Sequence, residues 1–353
     1  MPRHRSLGET LDPHRNSLNA LRLGLALLVI VSHAPLTAGW GDPVMVGDVQ
    51  LGDWAVAGFF AISGWLITAS RLHLDLAPYL WRRALRIYPA YWVALLVTAF
   101  VFAPLAVVVG GGTWDPAAAG GFVLHNATLY IGQPSIPGSL DASSYTSHWN
   151  LSLWTLRWEF ACYVAVGLLL SFRWVRARAW VLGAALLVVS TPYAVTVVLD
   201  APVSLGFAQF SRLGGCFLAG AVAYRYRDRI PSRGWLAAAA VGVLVVLYAL
   251  GMVRGLGAVP LAYLVLWLGA VLPLRQLGRT HDISYGVYIY AFPVQLLLAI
   301  AGATRFGSVG YTALTVALVV PLAWASWLLV ERPALRLKDA LRVPAYLPAR
   351  TRS

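Results

Sequence analysis

The sequence predicts an all-α fold: a polytopic transmembrane helix bundle of about ten helices, with both termini in the cytoplasm. Of the 353 residues, 59% are hydrophobic and 12% are charged, and a typical soluble domain has about twice that charged share. The mean hydropathy is +0.70, and apolar stretches of about 20 residues recur along the chain. These observations exclude a soluble globular enzyme, a disordered chain and a collagen-like chain.

Apolar stretches long enough to cross a bilayer occur at ten places in the chain. They are predicted at 19–38, 51–70, 88–110, 150–171, 179–198, 205–224, 234–252, 257–274, 283–302 and 309–330. The predicted organisation is therefore a basic cytoplasmic tail at 1–18, a transmembrane domain at 19–338 and a second cytoplasmic tail at 339–353. Because no small-residue cleavage pattern follows the polar start of the chain, we expect no cleaved signal peptide.

The basic residues indicate the orientation of these helices. The chain has 27 basic and 14 acidic residues, a formal net charge of +13. With the N-terminus in the cytoplasm, alternation of the helices puts 23 of the 27 basic residues on the cytoplasmic side, as the positive-inside rule requires. The others are Arg157, Arg212, Arg254 and Arg305. Topology therefore accounts for the charge, and no nucleic-acid partner is predicted.

The first predicted helix carries Arg22 and His33. Their spacing is about three helical turns, which places both on one face with His33 about 16 Å deeper. Histidine is the side chain best suited to move a proton near neutral pH, so His33 is a candidate general base. The alternatives are that His33 is a packing residue and that Arg22 only follows the positive-inside rule.

Two further segments carry candidate ligand-binding residues. In the second predicted helix, the small Ser63-Gly64 step allows the close approach of either a ligand or another helix. Before the third predicted helix, Arg83 and Arg86 lie at positions i and i+3 of one helix face, beside Arg82. Guanidinium groups placed in this way can bind phosphate or pyrophosphate, and anionic lipid headgroups are an equal alternative.

The fourth predicted helix carries Glu159 near mid-membrane. A carboxylate at that depth marks a functional site by default, and a structural pair with an arginine is the alternative. Before this helix, the outer segment 111–149 is rich in Gly, Pro and Ser and ends in His148-Trp149. Connections of this length are usually functional or disordered, and we expect this one to lie over the outer face of the bundle.

Six short motifs, in this order and at this spacing, resemble the acyltransferase-3 family of bacterial integral membrane O-acyltransferases. They are Arg22 and His33 with ten residues between them, Phe59-Phe60-x-x-Ser63-Gly64, Arg83-x-x-Arg86 followed by Pro89, Leu153-Trp154-x-Leu156-x-x-Glu159, Ile283-Ser284-Tyr285-Gly286 and Glu331-Arg332-Pro333. The motifs extend over nearly the whole chain. Many members have a histidine two residues before the proline of the Ser-Tyr segment, and that position is Ala291 here.

The resemblance implies transfer of an acyl group, usually acetyl, from a cytoplasmic acyl-CoA to a hydroxyl of a sugar, a glycolipid or a secondary metabolite. The predicted catalytic residues are His33, Arg22 and Glu159. The predicted acyl-CoA-binding residues are Arg82, Arg83, Arg86, Ser63, Gly64 and Tyr285, and the predicted acceptor-binding residues are His148, Trp149 and Trp154. We expect no metal and no tightly bound cofactor, and a location in the bacterial inner membrane.

Two other classes of function stay open at the level of sequence. A transporter or flippase of an anionic or lipid-linked substrate would use the same arginines as a headgroup site, but the sequence shows no matching pair of broken helices in its two halves. A structural or receptor protein is the second alternative, for which Arg83 and Arg86 would be dispensable. Cys162 and Cys216 lie in apolar stretches without metal or redox spacing, and are predicted to be packing residues.

Overall fold

The computed structural model describes residues 5–12, 15–199 and 201–340. These residues are mostly helical, which confirms the predicted class, and they include one antiparallel hairpin of β1 (Met45–Val46) and β2 (Val49–Gln50). The helices are α1 (Leu7–Thr10), α2 (Leu18–Ala38), α3 (Leu51–His73), α4 (Leu76–Val97), α5 (Ala103–Gly110), α6 (Pro116–Asn126), α7 (Trp154–Leu169), α8 (Arg173–Ala177), α9 (Trp180–Val198), α10 (Leu205–Arg225), α11 (Gly234–Ala249), α12 (Val253–Leu256), α13 (Ala258–Val271), α14 (Ser284–Ile300), α15 (Gly307–Ser326) and α16 (Arg332–Arg336).

Each of the ten predicted spans coincides with a helix of the structure. Five segments are long and apolar enough to cross a membrane: Leu18–Ala38, Leu51–His73, Leu76–Gly110, Trp180–Val198 and Ala303–Asp339. The apolar helices α11, α13 and α14 are shorter. The total of ten crossings and the cytoplasmic location of the termini therefore stay predictions. The ends of both predicted tails, with Arg3, Arg342, Arg350 and Arg352, lie outside the described residues.

The third predicted span differs most from its predicted bounds. It begins at Leu76 and continues through a π-helical turn at Thr98–Phe102 to Gly110, which makes one helical segment of 35 residues. Arg82 and Arg86 lower the hydropathy of its first turns, which is why the sequence placed the start later. Both side chains pair with carboxylates of other segments, so the helix is not interrupted there.

Small residues bring α3 and α10 into close contact at the centre of the bundle. A Cβ added to Gly64 would lie 2.8 Å from the carbonyl carbon of Phe217, and one added to Gly220 would lie 2.9 Å from the carbonyl carbon of Ala61. Close backbone approach at small residues is typical of membrane helix pairs. It makes α3 the most enclosed of the five candidate spans, with 72% of its apolar window buried.

The helix α14 packs between α2 and α15, and hydrogen bonds join the three. The Gln295 side-chain amide donates to the carbonyl oxygen of Ile30 at 2.9 Å, and the Tyr311 hydroxyl donates to the carbonyl oxygen of Gln295 at 2.6 Å. Nearly all of the 17 residues of α14 are buried. Through Ser284, Tyr285 and Tyr288, α14 forms part of the walls of the cavities described below.

The predicted outer segment 111–149 is ordered by its own hydrogen bonds. It contains α6, whose N-terminus is capped by the carboxylate of Asp115, and the side chain of Asn126 bonds to Gly132 and Gln133. The segment contacts the bundle where the Tyr145 ring meets the edge of Phe292, at 5.6 Å between centroids. It is therefore a packed part of the fold.

Candidate active site

His33 lies on the wall of a cavity of about 370 Å³ between α2, α3, α7, α10 and α14. The residue is near the end of α2 that is remote from Arg22. Its imidazole ring stands at 82° to the ring of Phe292, with 5.2 Å between centroids. The cavity is lined by Val29, His33, Gln50, Gly52, Asp53, Val56, Leu151, Ser152, Trp154, Thr155, Tyr193, Leu205, Ala208, Gln209, Arg212, Arg254 and Tyr288. Its size is in the range of small-molecule sites.

A bidentate ion pair between Asp53 and Arg212 forms part of the same cavity wall. The two nitrogens of the Arg212 guanidinium lie 2.7 and 2.9 Å from the two carboxylate oxygens of Asp53. Asp53 is in the first turn of α3, where the helix dipole favours a negative charge. Sequence reasoning did not select this pair. The available signals were an acidic residue inside a predicted span and an arginine assigned away from the cytoplasmic side.

Glu159 lines a second, smaller cavity of about 30 Å³. Its carboxylate accepts hydrogen bonds from the hydroxyls of Ser63, at 2.8 Å, and Tyr163, at 2.5 Å. Arg22 and Tyr285 are on the wall of this cavity as well. The structure therefore brings four of the predicted site residues together at this cavity. They are Arg22, Ser63, Glu159 and Tyr285. His33 is in the other cavity.

The two cavities are adjacent, because Val56, Thr155 and Tyr288 line both of them. The Tyr288 hydroxyl lies 2.7 Å from that of Thr155 and 2.9 Å from the carbonyl oxygen of Ser152. These side chains come from α3, α7 and α14. They form the partition between the His33 cavity and the Glu159 cavity.

Beyond the Glu159 cavity, Arg22 and Arg86 belong to a buried ion cluster. One oxygen of Asp282 lies 2.6 Å from both guanidinium groups, and Arg86 also pairs with Glu331 at 2.9 Å. Burial raises the pKa of the Asp282 carboxyl, but the two arginines and the hydrogen bonds of Ser284 outweigh this and lower it to about 2. Asp282 therefore carries a negative charge at neutral pH.

The three arginines of α4 have different surroundings. Arg86 is held between two carboxylates and over the ring of Tyr285, at 5.6 Å from its centroid. Arg82 pairs with Asp339 at 2.8 Å. Among the described residues no carboxylate pairs with Arg83, and its buried Nε has no hydrogen-bond partner. Arg83 is thus the member of the group with the greatest unmet capacity to bind an anion.

The predicted acceptor residues separate in the structure. Trp154 lines the His33 cavity. The Trp149 indole is fully buried and donates to the Ser139 hydroxyl at 2.9 Å. His148 lies 3.2 Å from the Tyr145 hydroxyl, and burial lowers its pKa. Trp149 and His148 are therefore not on the cavity wall, and they belong to the segment 111–149, whose Tyr145 contacts Phe292.

Comparison with known proteins decides the family. The family model described as an acyltransferase domain, that of the acyltransferase-3 family, matches residues 15–330. The chain belongs to this family. The resemblance carried by the six motifs is thereby confirmed, and so is the prediction that the protein is an acyltransferase.

Two curated relatives are similar over nearly their whole length. An O-acetyl transferase of Shigella phage Sf6 is 27% identical over 333 residues, which cover 90% of this chain and 95% of the relative. Nodulation protein 10 of Rhizobium leguminosarum bv. viciae is 29% identical over 364 residues, with 93% and 95% covered. The acyltransferase MdmB of Streptomyces mycarofaciens is 27% identical over 155 residues, 42% of this chain and 37% of the relative. No solved structure matches the chain.

For an acyltransferase, the arrangement separates two binding environments. One end of α2 meets a cluster with several arginines, and the other end meets a polar cavity with a histidine. In the described part of the chain, no three His, Cys, Asp or Glu side chains converge on a position that could hold a metal ion.

Proposed function

We propose that this acyltransferase moves an acetyl group from acetyl-CoA to a hydroxyl of a carbohydrate or glycolipid acceptor in the bacterial inner membrane. The observation that carries the proposal is the position of His33, on the wall of a cavity that adjoins a second cavity. Arg22 lies on the wall of this second cavity and shares Asp282 with Arg86 of α4. The O-acetyl transferase name of the phage relative supports acetyl as the transferred group.

The donor is bound at the arginine end of the site. Arg83, which has no carboxylate partner among the described residues, and Arg82 bind phosphate oxygens of the CoA moiety. Arg86 and Arg22 are held by Asp282 and therefore act as positioning residues at the arginine end of the site. The resemblance assigns Arg83 and Arg86 to the donor, and the sequence prediction adds Arg82. The surroundings of the three arginines support this assignment best for Arg83.

The acyl arm of the donor reaches His33 by way of the Glu159 cavity, which has to widen from its volume of about 30 Å³ in this structure. Ser63 and Tyr285 are the other predicted donor residues at this cavity, the former through its hydrogen bond to Glu159. Gly64 instead faces the backbone of α10. The partition formed by Val56, Thr155 and Tyr288 has to open for the thioester to reach the larger cavity.

In the transfer step, an unprotonated nitrogen of His33 takes the proton of the acceptor hydroxyl as its oxygen attacks the thioester carbonyl. A C–O bond forms and the C–S bond breaks. The thiolate of CoA leaves and takes the proton from the imidazolium, which restores neutral histidine. Direct transfer of this kind requires donor and acceptor to be bound together, which two adjacent cavities permit.

The test uses purified protein in lipid nanodiscs with labelled acetyl-CoA and a panel of methyl hexosides as acceptors. His33→Ala is expected to lower acceptor-dependent CoA release at least a hundredfold, since general-base catalysis contributes about 10²–10⁴. His73→Ala is the matched control, because that exposed histidine lies at the end of α3 and contacts its own helix. Retained turnover of the His33→Ala variant contradicts the assignment. Movement of an unmodified substrate without CoA release supports the transporter alternative.

A further inference from the structure

The ion pair of Asp53 and Arg212 is not explained by topology or by helix packing. Arg212 is one of the few basic residues that the positive-inside rule leaves unassigned. The contact between α3 and α10, on which the two residues lie, is already set by Gly64 and Gly220. A charge pair inside a membrane helix bundle has a high desolvation cost, and such residues usually mark a substrate path.

Both side chains keep part of their surface toward the cavity of His33. The exposed fraction is 22% for the Asp53 side chain and 14% for Arg212, although each is engaged by the other. A carboxylate has about four lone-pair sites and a guanidinium has five N–H donors. The two contacts between them therefore leave acceptors on Asp53 and donors on Arg212 that a ligand can use.

The rest of the wall favours an uncharged, polyhydroxylated ligand. The amide of Gln50 and the amide nitrogen of Gln209 add polar groups, while the Oε1 of Gln209 accepts a hydrogen bond from the Trp158 indole at 3.3 Å. The rings of Trp154 and Tyr193 add apolar faces. The opposite charges of Asp53 and Arg212 balance, and the other arginine on the wall, Arg254, bonds to the backbone carbonyl of Asp48 and lies 4.0 Å from the carboxylate of the same residue. An anionic ligand would find no unbalanced cation here, whereas a sugar ring presents both hydroxyls and an apolar face.

We propose that Asp53, held in place by Arg212, and Gln209 form the subsite that binds an uncharged sugar ring of the acceptor. Asp53 accepts hydrogen bonds from ring hydroxyls next to the one that is acylated, and the ring lies against Trp154. The reactive hydroxyl then points to His33 on the same cavity wall. This inference rests on the proposed function for the reaction, but ligand binding at the subsite is independent of the donor.

The experiment measures ligand-dependent shifts of the unfolding temperature in nanodiscs, with methyl glycosides of glucose, galactose, mannose and rhamnose and, separately, with CoA. Asp53→Asn keeps the size of the side chain and removes its charge, and Gln209→Ala removes an amide without altering the ion pair. Asp228→Asn is the matched control, because Asp228 also pairs with an arginine but is an exposed residue away from both cavities.

We expect one or more of the glycosides to stabilise the wild type and the control. For the variants Asp53→Asn and Gln209→Ala, the concentration that gives half of the shift rises at least tenfold, while the response to CoA stays within twofold. With a glycoside that is acetylated, the same variants raise the KM for the acceptor and leave the KM for acetyl-CoA within twofold. A purely structural ion pair would lower the unfolding temperature of Asp53→Asn without changing these ligand responses.

Three results overturn the inference. One is that no glycoside stabilises the wild type, and the second is that all variants respond to the glycosides as the wild type does. The third is that Asp53→Asn changes the response to CoA and leaves the response to glycosides unchanged. Failure of the proposed reaction is a different result, because it appears as absence of CoA release in the wild type whatever the glycosides do to its stability.

Discussion

The substitution of Gly64 by alanine tests whether the small step in α3 is a binding feature or a packing feature. Ser63 and Gly64 were both predicted to contact the acyl donor, yet their surroundings differ. Ser63 bonds to Glu159 at the second cavity, whereas the Cα of Gly64 faces the backbone of α10. We expect Gly64→Ala to act on the contact between the two helices.

The magnitude follows from the space at the crossing. The new Cβ would lie 2.8 Å from the carbonyl carbon of Phe217 and 3.0 Å from the amide nitrogen of Ala221, whereas ordinary contacts are about 3.5–4.0 Å. Because its obstacles are backbone atoms, no side chain can move aside, and the helices separate by about 1 Å. Overpacking of this kind costs about 3 kcal/mol of stability, which exceeds the gain in helix propensity of about 0.5–1 kcal/mol.

The reciprocal glycine provides a second, sharper result. Gly220→Ala meets the backbone of α3 in the same way, with the carbonyl carbon of Ala61 at 2.9 Å. Once one alanine has separated the helices, the second finds more room, so the double variant costs less than the sum of the single variants. Gly24→Ala is the matched control, since nothing lies within 4 Å of the added Cβ in α2.

The assay is equilibrium unfolding in mixed micelles followed by tryptophan fluorescence, together with titration of CoA. The expected order of stability is Gly24→Ala at or slightly above the wild type, and Gly64→Ala and Gly220→Ala about 3 kcal/mol below it. If Gly64→Ala unfolds like the wild type but loses its response to CoA, the packing assignment is wrong and Gly64 belongs to the donor site.

The ion cluster gives two further predictions. Arg86→Leu leaves Asp282 and Glu331 without this partner, so it is expected to destabilise the fold by about 3–5 kcal/mol in the same unfolding assay. Arg86→Lys is expected to restore little of this stability, because one ammonium group cannot pair with both carboxylates as the guanidinium does. Asp282 has a pKa of about 2 in the folded protein against an ordinary 3.8, so its stabilisation of about 2 kcal/mol is complete above about pH 4 and is lost as the pH falls toward 2. Unfolding temperatures measured between pH 5 and pH 2 should therefore fall less steeply for Asp282→Asn than for the wild type, and parallel curves would contradict this reasoning.

The positions of the helices could be predicted from the sequence because each apolar stretch had to satisfy its backbone within one helix. The predicted start of a helix was wrong where polar residues form its first turns. At the start of α4, Arg82 and Arg86 reduce the local hydropathy, yet carboxylates more than 190 residues later in the chain balance them. Partners so remote in sequence cannot be inferred from the local pattern.

Candidate site residues could be chosen by their predicted depth in the membrane, and their role in the site stays a prediction, but their grouping could not be predicted. His33 and Glu159 were both expected in one catalytic centre, and side chains from three helices separate their cavities. Trp149 was expected to bind the acceptor, and its indole is instead enclosed by its own segment through Ser139. Such differences depend on the rotation of each helix about its axis, which a single sequence leaves undetermined.

The distribution of charge gives the two ends of the site different ligand preferences. At the end near Arg22, the described residues include Arg22, Arg82, Arg83 and Arg86, and among these residues no carboxylate pairs with Arg83. At the His33 end, Asp53 and Arg212 balance each other. In the proposed function, a donor rich in phosphate therefore binds at the first end and an uncharged acceptor at the second. The partition keeps the two proposed binding places apart, and only the thioester has to pass between the cavities.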